Sequence, residues 1–153
     1  MGCLKYITVI LAIFGLELKI KNHIEETGRE GVDKKKCKNM LIIRKHHNKG
    51  AFLNAGESRQ KMVMLLSVLL SIVTTVIFVL TLGQGGHRLL KWGLTLFLGG
   101  AYSNTYDRMI RKYVVDYVSF NVPFKWLRRI IFNIGDFCIM IGAMLSVIGY
   151  YQG

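Results

Sequence analysis

Two aspartates, Asp116 in Tyr113-Val114-Val115-Asp116-Tyr117 and Asp136 in Phe132-Asn133-Ile134-Gly135-Asp136, lie beside or within sequence apolar enough for a lipid bilayer. A carboxylate at membrane depth loses hydration that hydrocarbon cannot replace, so an ionisable residue there marks a functional site by default. When two carboxyls share a site, repulsion keeps one protonated while the other ionises. The ionised member can take a proton from water as it attacks a peptide carbonyl, and the protonated member can hydrogen-bond the developing oxyanion. This is aspartic peptidase chemistry, and it is expected to need neither a metal nor a cofactor.

Further polar residues cluster around this pair in sequence. Asn104 and Asp107 stand three apart, as do Asn133 and Asp136, so within helices each pair shares a face. If the two helices are antiparallel neighbours, both pairs lie near one membrane surface, and Asp116 lies in the loop between them. Each member alone has an ordinary reading. Asp107 can be a helix-end carboxylate neutralised by Arg108 or Arg111, Asp116 a solvated loop residue, and Asp136 a structural group. The constellation is more informative than its members.

Other chemistries have less support. His46 and His47 are adjacent and would face opposite ways on a strand, His23 and His87 belong to other segments, and no HExxH, phosphate loop, GxGxxG or GxSxG occurs. Cys3, Cys37 and Cys138 show no CxxC spacing, which supports neither a disulfide framework nor a zinc site. The basic run from Lys34 to Lys38 could touch anionic lipid, but it reads first as a solvated loop, and the absence of interleaved aromatics disfavours nucleic acid. Met1-Gly2-Cys3 lacks the Ser or Thr of a myristoylation signal at Tyr6.

The elements that must position these residues are four apolar stretches in one membrane domain. They cover about 4–24, 62–82, 89–107 and 130–151, with extramembrane loops at 25–61 and 108–129. The chain is 52% hydrophobic with a formal charge of +12, and charge and apolar residues are segregated. The stretch Met62 to Leu82 holds no charged residue and is long enough to span a bilayer. Gly93, Gly99, Gly100 and Ala101 allow close helix contact in the third stretch. No small-residue cleavage site follows Leu16, so the first stretch reads as a retained helix. In it Glu17 and Lys21 stand four apart in the favourable order, which alone suggests an ion pair at the membrane surface. The expected fold is all-α, four transmembrane helices with both termini on one side. A small extramembrane β-sheet is expected mainly from the first loop. There Met40 to Arg44 reads as a short strand and Asn48-Lys49-Gly50-Ala51-Phe52 as a turn leading into another.

Taken together, Gly99-Gly100-Ala101, Asn104, Asp107-Arg108, Val114-Val115-Asp116-Tyr117 and Phe132-Asn133 with Asp136 resemble signal peptidase II, the bacterial lipoprotein signal peptidase, in order and spacing. Asn48-Lys49-Gly50-Ala51 resembles the family's Asn-x-Gly-Ala segment, and Glu17 to Lys21 weakly resembles its first-helix Asp-Gln-x-x-Lys motif. The resemblance implies a membrane aspartic endopeptidase that cuts diacylglyceryl-modified prolipoproteins just before the lipidated cysteine. It places the catalytic pair on Asp116 and Asp136. Substrate-contacting and structural polar positions fall on Asn48, Gly50, Asn104, Asp107, Arg108 and Asn133. Its implied setting is the bacterial cytoplasmic membrane, multi-pass, with the site near the outer surface beneath the sheet, and of the oligomeric states a monomer is favoured. Its implied partners are the lipidated substrates and membrane lipid.

Several residues depart from the family pattern. Glu17 stands where aspartate is usual, Gly135 where alanine is common and Tyr117 where phenylalanine is common, while Tyr102 and Ser103 are atypical. Charge also disagrees with the implied orientation. Eighteen of the 21 Lys and Arg residues lie on the side carrying the aspartates, with only Lys5, Arg88 and Lys91 opposite, and the positive-inside rule would put that side in the cytoplasm. The alternative functions are a non-catalytic membrane protein of the same fold that binds lipidated peptides or a protein partner, and an ion or proton conductor using Asp136.

Overall fold

The computed structural model describes residues 2–28, 32–36, 40–51 and 56–152, with the side chains of Lys34, Glu57 and Lys125 left aside. In chain order the elements are α1 (Gly2–Thr27), β1 (Lys34–Lys36), β2 (Leu41–Asn48), a 3₁₀ turn (Glu57–Arg59), α2 (Gln60–Leu82), α3 (Arg88–Ile110), β3 (Val114–Phe120), the short α4 (Lys125–Arg128) and α5 (Ile134–Tyr151). The protein is mostly helical with a small antiparallel sheet. Phe52, Cys37 and Lys38, which the sequence placed in a turn and a basic run, lie outside the described residues, as does the start of the strand expected after that turn.

Among the described residues two helices are long and apolar enough to cross a membrane: α2, with mean hydropathy 2.8, and α5, with 1.6. Their outward faces are apolar, with Leu65, Leu66, Leu69, Val76 and Leu80 on α2 and Met140, Met144 and Val147 on α5 all exposed. Helices α1 and α3 have comparable lengths of 26 and 23 residues. They differ in burying charged residues, Glu17 and Lys21 on α1 and Lys91 and Asp107 on α3. An apolar cluster of Tyr6, Ile10, Phe78, Leu94 and Leu98 joins α1, α2 and α3.

Helix α5 lies along α3 at a distance set by glycine. A Cβ at Gly142 would meet the backbone of Gly93 and Phe97, and one at Gly100 would meet the Gly135 carbonyl. Small residues of this kind let two helix backbones approach where side chains would hold them apart. That approach brings the start of α5 against the middle of α3, where Asn104 stands one turn beyond Gly100.

The sheet has the order β1-β2-β3, all antiparallel. Its third strand comes from the 108–129 connection, which the sequence reading treated as a loop, and β1 occupies part of the Lys34–Lys38 run. Between Ile43↔Val118 and His46↔Asp116 three residue steps on β2 face two on β3, a shift of register by one. A one-residue shift reverses which side chains face which side. As a result His46 and Asn48 share the face of Asp116 and Val114, although Leu41 and Ile43 begin the same face with the opposite parity. On its other edge β3 pairs with Phe132, through Phe132 N to Val118 O at 2.7 Å and Val118 N to Phe132 O at 2.8 Å.

This last pairing corrects the expected fourth stretch of 130–151. Residues 130–132 are not helical, and α5 begins at Ile134. Burial of Ile130 and Phe132 beside β3 and the two backbone bonds between Phe132 and Val118 keep this stretch out of the helix.

Candidate active site

Helix α5 opens with a reciprocal cap. Asn133 is extended (φ −121°, ψ 169°), its side chain accepts a hydrogen bond from Asp136 N at 2.9 Å, and its backbone N–H donates to Asp136 Oδ2 at 3.0 Å. This satisfies two of the donors that every helix start leaves open. Asn133 and Asp136 therefore do not share a helix face, and Asp136 sits in the first turn rather than deep within a span.

The remaining amide hydrogens of Asn133 carry the arrangement to β3, where Nδ2 donates to Asp116 Oδ1 at 2.7 Å. Asn48 at the end of β2 donates to Asp116 Oδ2 at 3.0 Å, and Asn104 on α3 donates to Asp136 Oδ1 at 2.8 Å. Every carboxylate oxygen of the two aspartates thus receives a hydrogen bond from an amide. Asp116 is 2% exposed, so it is no solvated loop residue. Burial, followed by the nearby charge of Asp136, pushes its carboxyl up to about 7. Amide donors oppose the shift but carry no charge to cancel the repulsion.

Both aspartates line one cavity of about 410 Å³, together with Asn48, Asn104, Arg108 and the apolar side chains of Val114, Ile131, Ile139 and Met140. Arg108 is held in place by its own donors, Nη2 to Gly50 O at 3.1 Å and Nη1 to Asn104 O at 3.4 Å. Gly50 in turn donates its N–H to Asn48 Oδ1 at 3.1 Å. Among the described residues no group of three or more His, Cys, Asp or Glu side chains could hold a metal ion.

Asp107 has a different setting. It lies 1% exposed in a charge cluster with Lys21 Nζ at 3.0 Å and Arg111 Nε at 3.0 Å, and its Oδ2 also accepts from Val115 N at 3.2 Å. The Glu17–Lys21 pair, expected at the membrane surface, is fully buried here, with 3.3 Å between its charged atoms. Of the residues singled out from sequence, Asn48, Asn104, Arg108, Asp116 and Asp136 line the cavity. Asn133 bonds both aspartates, Gly50 supports Asn48 and Arg108, and Asp107 braces the layer behind.

Two contributors were not legible as site residues in the sequence. Lys21 donates to Asn104 Oδ1 at 2.8 Å and to Ser103 Oγ at 3.0 Å. An ammonium only donates, so it fixes which end of the Asn104 amide faces it and turns the NH₂ toward Asp136. Tyr117 donates its hydroxyl to Glu17 Oε1 at 2.5 Å and accepts from Ile134 N at 3.2 Å, tying α1 to the first turn of α5. Burial and the Glu17 charge both raise the Tyr117 phenol, which keeps it a donor.

A family model for signal peptidase II matches residues 9–152. The lipoprotein signal peptidase of Mesorhizobium japonicum is 32% identical over 143 residues, covering 93% of this chain and 82% of that protein. The lipoprotein signal peptidase of Alteromonas mediterranea is 34% identical over 111 residues, covering 69% of this chain and 58% of that protein. A solved structure described as a bacterial membrane enzyme superposes with TM-score 0.80 at 22% identity, covering 97% of this chain and 88% of that one. A second, described in the same words, gives TM-score 0.75 at 22% identity, covering 95% and 92%. With the model match running through nearly the whole sequence, the chain belongs to the signal peptidase II family.

Proposed function

We propose that the protein is an aspartic endopeptidase of the bacterial cytoplasmic membrane that removes signal peptides from diacylglyceryl-modified prolipoproteins, cutting just before the lipidated cysteine. The observation that carries this reading is the opening of Asp116 and Asp136 onto one cavity, with Asp116 raised to about 7 beside the second carboxyl. That is the condition for two acids to hold one proton at neutral pH.

In the reaction, water sits between the carboxyls and the scissile carbonyl. The ionised carboxylate takes a proton from the water as its oxygen bonds to the carbonyl carbon, while the protonated carboxyl donates to the carbonyl oxygen. Collapse breaks the C–N bond, and the proton just taken passes to the departing amine. The roles belong to the pair rather than to named residues, because strongly coupled carboxyls titrate as a unit. Asn48, Asn104 and Asn133 hold the carboxyls in place without neutralising them. The apolar wall of Val114, Ile131, Ile139 and Met140 suits a signal peptide entering from the bilayer, and Arg108 suits its backbone carbonyls.

The same reading makes α1 and α3 spans alongside α2 and α5, with the sheet at the outer surface. Labelling of a cysteine placed at Lys112 by an impermeant reagent on intact cells tests that orientation, and protection of the label from outside reagent would reverse it.

Cleavage of a diacylglyceryl-modified prolipoprotein by the purified protein in detergent tests the activity, with Asp116→Asn and Asp136→Asn alongside. The wild type should cleave and neither variant should. Cleavage retained by both variants would remove the aspartic mechanism, and a folded wild type that binds the substrate without cutting it would favour the binding-protein alternative.

A further inference from the structure

Beside the aspartate cavity lies a second cleft, of about 450 Å³, at the site end of α2. Four cationic residues line it: Lys49 after β2, Lys61 in the first turn of α2, Arg108 near the end of α3 and Lys112 just beyond it. Met64 and Leu65 form its apolar part. Among the described residues lining it there is no carboxylate.

We propose that this cleft binds the phosphate of an anionic phospholipid, with the lipid's acyl chain running down α2. Lys61 and Lys112 both stand exposed at this space, and an anion between two like charges relieves their repulsion. The cleft also straddles a chemical boundary. Lys61 stands at the start of a helix whose residues from Met62 to Leu82 include no charge, so the cations sit where headgroups meet hydrocarbon. Leu65, Leu66 and Leu69 continue outward from the cleft as an exposed apolar face that suits an acyl chain. A free phosphate would use the cations alone, and a neutral diacylglyceryl group the apolar wall alone. The combination fits a lipid carrying a negative headgroup.

This assignment gives a use to the charge bias that opposes the family orientation. Basic residues on an outward side are tolerable when anionic headgroups neutralise them. Because Arg108 lines both spaces, the bound headgroup adjoins the aspartate cavity. The inference goes beyond the peptidase reading and is tested without cleavage, so either can fail alone.

The test is native mass spectrometry of the full chain in detergent, titrated with short-chain phosphatidylglycerol, short-chain phosphatidylcholine or glycerol phosphate. Phosphatidylglycerol should bind at least about tenfold more tightly than either comparator, the scale expected from two or more cations. The double variant Lys61→Gln/Lys112→Gln should lose that preference and Lys61→Arg/Lys112→Arg should keep it. Lys5→Gln/Arg88→Gln, at the opposite end, should leave it unchanged, and circular dichroism checks that each variant folds. Equal binding of the two lipids, or a wild-type preference in the Gln double variant, would overturn the proposal. Glycerol phosphate binding as tightly as phosphatidylglycerol would overturn the lipid assignment in favour of a simple phosphate site.

Discussion

Two groups of carboxylates lie on either side of Asn104, and they are treated in opposite ways. Glu17 and Asp107 are paired with Lys21, and Asp107 with Arg111 as well, so their charges are cancelled within the fold. Asp116 and Asp136 receive hydrogen bonds from asparagines instead. A cation stabilises a carboxylate so well that it stays ionised and inert toward proton transfer, whereas an amide orients it and leaves its basicity adjustable. Paired charge builds the frame here, and on the proposed peptidase reading the carboxyls without a cation are the ones kept for chemistry. Lys21 serves both groups, because the ammonium that neutralises Glu17 and Asp107 also orients Asn104 toward Asp136.

The contrast is broken most directly by removing charge from each group in turn. Asp116→Asn or Asp136→Asn should lower kcat by about 10³-fold or more without lowering the melting temperature, since the repulsion and the buried charge go together. Melting and cleavage measured on the same preparation check this. Lys21→Met should do the reverse to the fold, because two carboxylates lose their shared cation in a buried site. Loss of one partner from such a cluster costs about 3–5 kcal/mol, visible as a large drop in melting temperature. Failure of Lys21→Met to destabilise would mean that the cluster is not a frame.

pH separates the two groups more finely. The Asp116 carboxyl is raised to about 7 in the fold from about 3.9 in the unfolded chain. The folded state therefore holds a proton that the unfolded state has lost. The stabilisation is present in full below about pH 4 and disappears as pH rises through about 7. Thermal unfolding should show this decline between pH 4 and 7, and Asp116→Asn should flatten it. Cleavage should also fall above about pH 7 as the shared proton leaves.

The smallest effect is expected at Tyr117→Phe. It removes a donor to Glu17 and an acceptor for Ile134 N, leaving buried polar groups unsatisfied at about 1–3 kcal/mol. Melting should fall modestly, and adding Glu17→Gln to Tyr117→Phe should lose less than the two separate losses combined, because both act through one bond.

Much of the site was legible from residue type alone. Charged residues in apolar sequence carry their cost wherever they stand, so Asp116 and Asp136 were conspicuous before any contact was known, and Asn104, Asn133 and Asn48 lay at recognisable spacings from them. Boundaries were less legible. Residues 130–132 are as apolar as the helix after them, and only the pairing of Phe132 with Val118 keeps them out of it. The strand Val114–Phe120 was read as loop because both its faces are buried, which removes the polar and apolar alternation that betrays a half-exposed strand.

By itself the sequence determined the apolar lengths, the glycine positions that permit close packing, and the presence of carboxyls that must either pair or react. These are local properties, set by side-chain chemistry and by the cost of dehydration. Only the tertiary structure decided which carboxyls pair and which stay free. That choice depends on the one-residue register shift of β2, on the approach of α5 to α3 and on the reach of Lys21. Each of these is a contact between segments far apart in the chain, and residue identity carries no distance until the chain has closed.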